Sequence, residues 1–276
     1  MKDPKYMGSD YNRLIHPYKG GVYCTENYPI VDWDKPDVRS KDKWLHLQDI
    51  YVRAAHNYDT KIWDDYKGII TWNSKIYDKY KDEFPMKLLD RFSYIAKYEF
   101  TEHTPYKEKL NKACLVATYF PPTLADDAKY QRYELCKKLS KVMPVDIYGS
   151  DKYPEDLKPF WRGYIPSKLG TITNYKWSIC FENCAHEPWA WDYVTEKIWD
   201  CFLSKVVPIY YGAPNVADKV PKHLYIDYRD YIDDFDGLVT RLNTMTEKEY
   251  TDMTEEAHAL YQEQKFDSYL DVFKKL

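Results

Sequence analysis

No stretch of this 276-residue chain reads Gly-x-Gly-x-x-Gly, and none reads as a Walker P-loop. A dinucleotide fingerprint and a glycine-built phosphate cradle are therefore both missing. No apolar run is long enough to span a bilayer, since the most apolar windows, ACLVATYF (113–120) and VVPIYYG (206–212), are strand-length. The amino-terminal MKDPKYMGSDYNRLIHPYKGG is polar and lacks the apolar segment of a secretory leader. A soluble, cytoplasmic protein with no transmembrane segment is the expectation. A basic surplus is also missing. Lys and Arg number 40 against 44 Asp and Glu, a formal net charge of −4. That balance disfavours a nucleic-acid partner, because a phosphate footprint needs excess positive charge, although a local basic cluster can still hold one small anion. Internal repeats and low-complexity tracts are absent as well.

Cys24, Cys114, Cys136, Cys180, Cys184 and Cys201 are scattered rather than arranged in a framework. In a chain of this size with no leader they read as buried free thiols of a reducing compartment. Cys180, Cys184 and His186 make a poor zinc set, because Cys180 falls in a strand and no second ligand pair follows at finger spacing. Asp32-Trp33-Asp34 has the form of a metal-binding acidic pair but sits beside Pro36 with no supporting pattern, so it reads as a solvated acidic turn. No metal is expected.

What is present is a hydrophobic share of 44%, enough for a substantial core. The 29 Tyr and 9 Trp suit a carbohydrate surface, but they equally suit ordinary core and interface filling. Residues 1–108 look irregular, with short strand-like runs GGVYCTEN (20–27), KGIITWN (67–73) and FSYIAKY (92–98). The segment 45–66 between them reads as partly helical, and 101–112 reads as a linker. Residues 109–276 alternate more regularly. ACLVATYF, MPVDIYG, KWSICFEN, VVPIYYG and HLYIDY read as strands. Tyr133, Cys136, Leu139 and Val142 mark a helix, as do the segments around 195–205, 233–245 and 246–264. Strands alternating with helices predict a parallel α/β sheet.

The stretch from Tyr175 to Gly212 is the most specific. Thr195 is a good N-cap, followed by Glu196 and Lys197 in the first turn. Val194, Ile198, Phe202 and Val206 form the apolar stripe of that helix. Its free N–H groups and dipole would attract a phosphate, to which Lys197 adds a point charge, while Glu196 could accept from sugar or ribose hydroxyls. From these residues alone, ordinary capping is the simpler account.

The order of residues adds more. YKWSICFEN, then DYVTEKIWDCFLSKVVPIYYGAP, resembles the donor-binding signature of the α-1,3/4-fucosyltransferases, glycosyltransferase family 10. The matching positions are Tyr175, Lys176, Phe181, Glu182, Asn183, Tyr193, Thr195, Glu196, Lys197, Val207, Pro208 and Gly212. A weaker likeness extends from Ala113 to about Leu242. The resemblance implies an α/β enzyme of GT-B type with two Rossmann-like domains, residues 1–108 on the acceptor side and 109–276 binding GDP-fucose. It implies donor contacts from Glu196 and Lys197 with Tyr193 beside them. It also brings in Glu182, Asn183, Thr195, Tyr175 and Lys176 of the motif, and Arg132 as an arginine reaching the diphosphate. The catalytic base would be a glutamate just after a strand of the first domain. Glu26 of VYCTENYPI takes that place, with Pro29 one residue later than the family's turn has it.

The implied reaction is inverting transfer of fucose to a glycan hydroxyl, with an α-1,3 linkage expected and no cofactor required. Family members carry more residues before the base than the 25 here, so the first domain is expected to be shortened, rearranged or completed by a partner in an oligomer. Two alternatives remain open: the same scaffold with another nucleotide sugar, and a catalytically silent carbohydrate-binding protein.

Overall fold

The computed structural model of the protein describes residues 22–24, 44–47, 55–89, 99–119, 121 and 128–264. Among these residues two separate parallel sheets form. The first runs β1 (Val22–Cys24), β2 (Trp44–His46), β3 (Gly68–Thr71) and β4 (Met86–Leu88), paired in that spatial order. The second contains β5 (Leu110–Ala117), β6 (Val145–Gly149), β7 (Tyr175–Phe181), β8 (Val207–Tyr211) and β9 (Ile226–Asp227), in the order β6-β5-β7-β8-β9. That order places a topological switch between β5 and β7, where a doubly wound sheet opens a crevice at the carboxyl ends of its strands.

Period-two alternation builds the second sheet. Trp177, Ile179 and Phe181 of β7 join one core with Ala113 and Leu115 of β5 and with Val207 and Ile209 of β8. The intervening Cys180, Cys114 and Tyr210 join the core on the opposite face. Strands buried on both faces read as continuous apolar runs, which is why this part of the chain was legible. Helices cover both faces. The first core takes Tyr133, Leu135, Cys136 and Leu139 of α2 (Ala128–Leu139) and Leu238 and Leu242 of α5 (Phe235–Thr244). The second takes Ile172 of α3 (Lys168–Ile172), Ile198, Phe202 and Leu203 of α4 (Glu196–Leu203), and Ala257 and Tyr261 of α6 (Glu247–Glu263).

The first sheet alternates in the same way. Leu45, Leu47 and Ile69 pack with Trp63, Tyr66 and Ile76. On the other side Trp44, Ile70, Trp72 and Leu89 pack with Cys184, Ala190 and Tyr193 from the second half of the chain. This last cluster joins the two sheets through apolar contact.

Several expected elements differ. The described residues of the segment 45–66 contribute the end of β2 and two short 3-10 turns, at Ala55–Tyr58 and Thr60–Asp65. HLYIDY forms mainly 3-10 turns flanking the two-residue β9. α2 ends at Leu139, and Val142 lies beyond it with 54% of its surface exposed, so it is not part of the apolar stripe. Helix α1 (Ser74–Tyr80) was not foreseen: seven residues are too short for a helical period to stand out, and only Ile76 of it is buried. β5 begins at Leu110, inside the expected linker. The run 92–98, Glu26 and Asp32-Trp33-Asp34 lie outside the described residues. Among the described residues no helix is long and apolar enough to cross a membrane. Cys114, Cys136, Cys180, Cys184 and Cys201 are buried and form no disulfide.

At the end of β6, Gly149 has φ 115°, and a Cβ there would overlap the Ala117 carbonyl of β5. Gly149→Ala is expected to cost roughly 1–3 kcal/mol from the clash and the left-handed backbone. Urea unfolding followed by tryptophan fluorescence would measure it.

Candidate functional site

The carboxyl end of β7 meets the amino end of α4 through Glu182, which is fully buried. Its Oε1 accepts from the Thr195 backbone N–H at 2.9 Å, and its Oε2 lies 2.8 Å from the Thr195 hydroxyl and 2.9 Å from Lys197 Nζ. Thr195 in turn caps α4, its Oγ1 accepting from the Lys197 backbone N–H at 3.4 Å. Lys197 Nζ also donates to Thr195 Oγ1 at 2.9 Å and reaches Glu196 Oε1 at 3.4 Å. An ammonium has three N–H donors, so all three are committed, the one to Glu196 most weakly. Lys197 keeps 23% of its side chain exposed. Gly212, at the end of β8, lets this bracket close, because a Cβ there would overlap both Glu182 Cγ and the Tyr210 hydroxyl.

The charges are arranged to keep the site ionic. Burial opposes the Lys197 charge, but the Glu182 and Glu196 carboxylates outweigh it and hold the ammonium above its usual value. Burial likewise opposes ionisation of Glu196, yet Lys197 and then Lys168 pull its carboxyl down to about 2. Lys168, the first residue of α3, is bonded to Asp200 at 2.7 Å, one turn further along α4. Arg132 of α2 is buried and donates from one terminal nitrogen to the carbonyls of Phe181 and Glu182. Its Nε has no hydrogen-bond partner. Arg132 is near enough to Lys197 for its charge to press that ammonium's pKa downward. Two cations and a helix amino terminus thus converge at the carboxyl edge of the sheet, an arrangement suited to a diphosphate.

The structure brings Arg132, Glu182, Thr195, Glu196 and Lys197 together, with Asn183 half-buried next to them. It places three motif residues elsewhere. Tyr175 and Lys176 open β7, about 20 Å from Glu182 at the strand's usual rise. There Tyr175 donates to Asp146 at 3.0 Å, and Lys176 bonds and covers Tyr106. Tyr193 is buried against Trp72 of the first sheet, ring centroids 5.1 Å apart. Cys184 Sγ lies 3.4 Å from His186 Nδ1, whereas Cys180 faces Cys201 across the sheet–helix interface.

Sequence reasoning missed Arg229. It donates to the carbonyls of Ala185, Gly212 and Ala213, pinning the loops after β7 and β8 beside the bracket. No local pattern marks it, because all three partners are distant in the chain.

Residues 105–255, more than half the chain, match glycosyltransferase family 10 (fucosyltransferase) C-term. The chain belongs to this family. Relatives within reach include Alpha-(1,3)-fucosyltransferase B of Drosophila melanogaster, 32% identical over 127 residues, or 44% of this chain and 28% of that protein. GDP-fucose protein O-fucosyltransferase 3 of Danio rerio is 30% identical over 120 residues, 42% of this chain and 25% of that protein. The chain thus matches only about a quarter of the length of each. Among solved structures, S. aureus TarM superposes with TM-score 0.56 at 13% identity, covering 84% of this chain and 50% of that one. An alpha-glucosyltransferase superposes with TM-score 0.51 at 12% identity, covering 87% and 72%. At such identities the likeness concerns the fold alone, and that fold is GT-B.

Glu182→Gln keeps the shape but removes the charge facing Lys197. It is expected to cost roughly 1.5–3 kcal/mol, less than breaking a fully buried pair because Lys197 is partly wet, and chemical denaturation would measure it. Glu196 is depressed below its ordinary 4.5. Its contribution to stability is therefore complete above about pH 4.5 and lost as pH falls through about 2. In Glu196→Gln the acid-unfolding profile should flatten over that window.

Proposed function

We propose that this chain transfers L-fucose from GDP-β-L-fucose to a glycan hydroxyl, inverting the anomeric carbon and forming an α-1,3 linkage. The observation that carries this reading is Lys197. It stands in the family's donor motif at the amino end of α4, facing the carboxyl edge of the second sheet with Arg132 alongside. The names of the relatives add support, since one is an alpha-(1,3)-fucosyltransferase and another takes GDP-fucose. On this reading residues 109–276 form the donor domain and residues 1–108 the acceptor side.

Family 10 chemistry then follows from the charges. The diphosphate arrives at the α4 terminus and takes over the weakest of the three Lys197 bonds, the one to Glu196 at 3.4 Å. That exchange leaves the Glu196 carboxylate free for the hydroxyls of the ribose or the sugar. Glu182 and Thr195 hold Lys197 in place throughout and do not themselves meet the ligand, because Glu182 is fully buried. Arg132 turns its unpaired Nε–H to the same diphosphate. As the sugar–oxygen bond breaks, the negative charge grows on the leaving GDP, where the two cations and the helix dipole stabilise it. The acceptor hydroxyl attacks from the opposite face, and Glu26 takes its proton. Tyr193, Tyr175 and Lys176 act through packing rather than by contact with the donor.

Calorimetry with GDP, UDP and GDP-fucose tests the donor. GDP and GDP-fucose should bind, and a preference for UDP would remove the assignment. Lys197→Ala should weaken GDP binding by on the order of tenfold or more, matching the loss of a charge-assisted bond of about 1.5–3 kcal/mol. Glu26→Gln should keep GDP affinity and lose transfer, and unchanged turnover would take Glu26 out of the mechanism.

A further inference from the structure

Before entering α4, the chain from Asn183 to Val194 crosses to the first sheet. Near its end Asp192 adopts a left-handed backbone with φ 65°, a conformation uncommon for most residues with a side chain but tolerated by Asp. Four donors meet its buried carboxylate. Oδ2 accepts from the Ser74 backbone N–H at 3.0 Å and from the Ser74 hydroxyl at 2.6 Å. Oδ1 accepts from Asn215 Nδ2 at 2.9 Å and pairs with Lys219 Nζ at 3.2 Å. The Asp192 backbone N–H returns a bond to Asn215 Oδ1 at 2.8 Å.

These partners come from different parts of the fold. Ser74 opens α1 directly after β3 of the first sheet, whereas Asn215 and Lys219 follow β8 of the second. Asp192 therefore ties both sheets to the segment that leads into the α4 cap at Thr195. Neighbouring contacts follow the same seam: Asn73 Nδ2 donates to the Pro188 carbonyl at 2.8 Å, and Lys75 lies 3.6 Å from the Trp191 ring centroid. The anion bracket of Glu182, Thr195 and Lys197 is complete without Ser74, since all three belong to the second sheet and its helix. The Ser74–Asp192 bonds thus add nothing to the bracket itself. What they set is where the first sheet stands relative to it.

We propose that Asp192 is a positioning residue that fixes the first sheet against the donor helix, so that groups carried by the first half of the chain meet the sugar carbon held by the second. The proposal rests on the fucosyl-transfer reading. It separates two quantities that a purely structural bond would not separate, donor affinity and turnover.

The test uses Ser74→Ala, which removes one hydroxyl and no charge, together with Asp192→Asn and the conservative Ser74→Thr. GDP affinity by calorimetry should stay within about twofold of the parent in all three. The value of kcat should fall at least tenfold in Ser74→Ala and Asp192→Asn, because a misplacement of about 1 Å costs on the order of 100-fold. Ser74→Thr, which restores the hydroxyl, should recover most of it. Unchanged kcat in folded Ser74→Ala and Asp192→Asn overturns the proposal, and so does a loss of GDP affinity as large as the loss of kcat. If the parent chain neither binds GDP nor transfers fucose, the donor reading fails instead. Small-angle scattering then decides the lock by itself: a larger radius of gyration in Asp192→Asn supports it, and an unchanged one overturns it.

Discussion

A single buried carboxylate organises the second half of this protein. Glu182 sits where β7 ends, beyond the reach of water, and a carboxylate there is tolerable only if its oxygens are fully engaged. Thr195 and Lys197 engage them, and in doing so they fix the start of α4 against the end of β7. Gly212 must be bare for the contact to close, and Arg229 pins the loops on either side. Losing the Glu182 charge would leave a half-buried ammonium and a helix cap without its anchor.

The bracket also explains why cations can gather at this edge. Lys197 and Arg132 repel one another, yet each is held by acceptors from the same strand end, Glu182 through its side chain and Phe181 and Glu182 through their carbonyls. Glu196 and Lys168 extend the alternation of charge along the helix face, with Asp200 one turn on. The result is an alternating set of oriented charges in which each cation is held by acceptors of the protein itself.

Much of this was legible in the chain. Alternating apolar residues in β5, β7 and β8 exposed the sheet because burial on both faces leaves a strong local signal. Thr195-Glu196-Lys197 after an aromatic loop marked the helix start, since a cap needs those side chains at those offsets. Other features had no local trace. Tyr193 and Tyr175 belong to the same motif as Lys197, yet one faces the first sheet and the other lies at the far end of its strand. Residues that are neighbours in a motif need not be neighbours in a pocket, because a strand carries its two ends far apart. Arg229 and Ser74 were silent for a related reason: the groups their side chains hydrogen-bond lie 16 to 118 positions away.

By itself the sequence determined the class of fold, the family and the capped helix start at Thr195. These depend on periodicity, capping and motif order, which are short-range properties of a chain. Only the tertiary structure decided that Glu182 is buried and brackets Thr195 and Lys197, that the Lys197 ammonium is engaged by three acceptors, and that Asp192 joins the two sheets. Those facts depend on which groups lose water together, and burial is a property of the packed molecule.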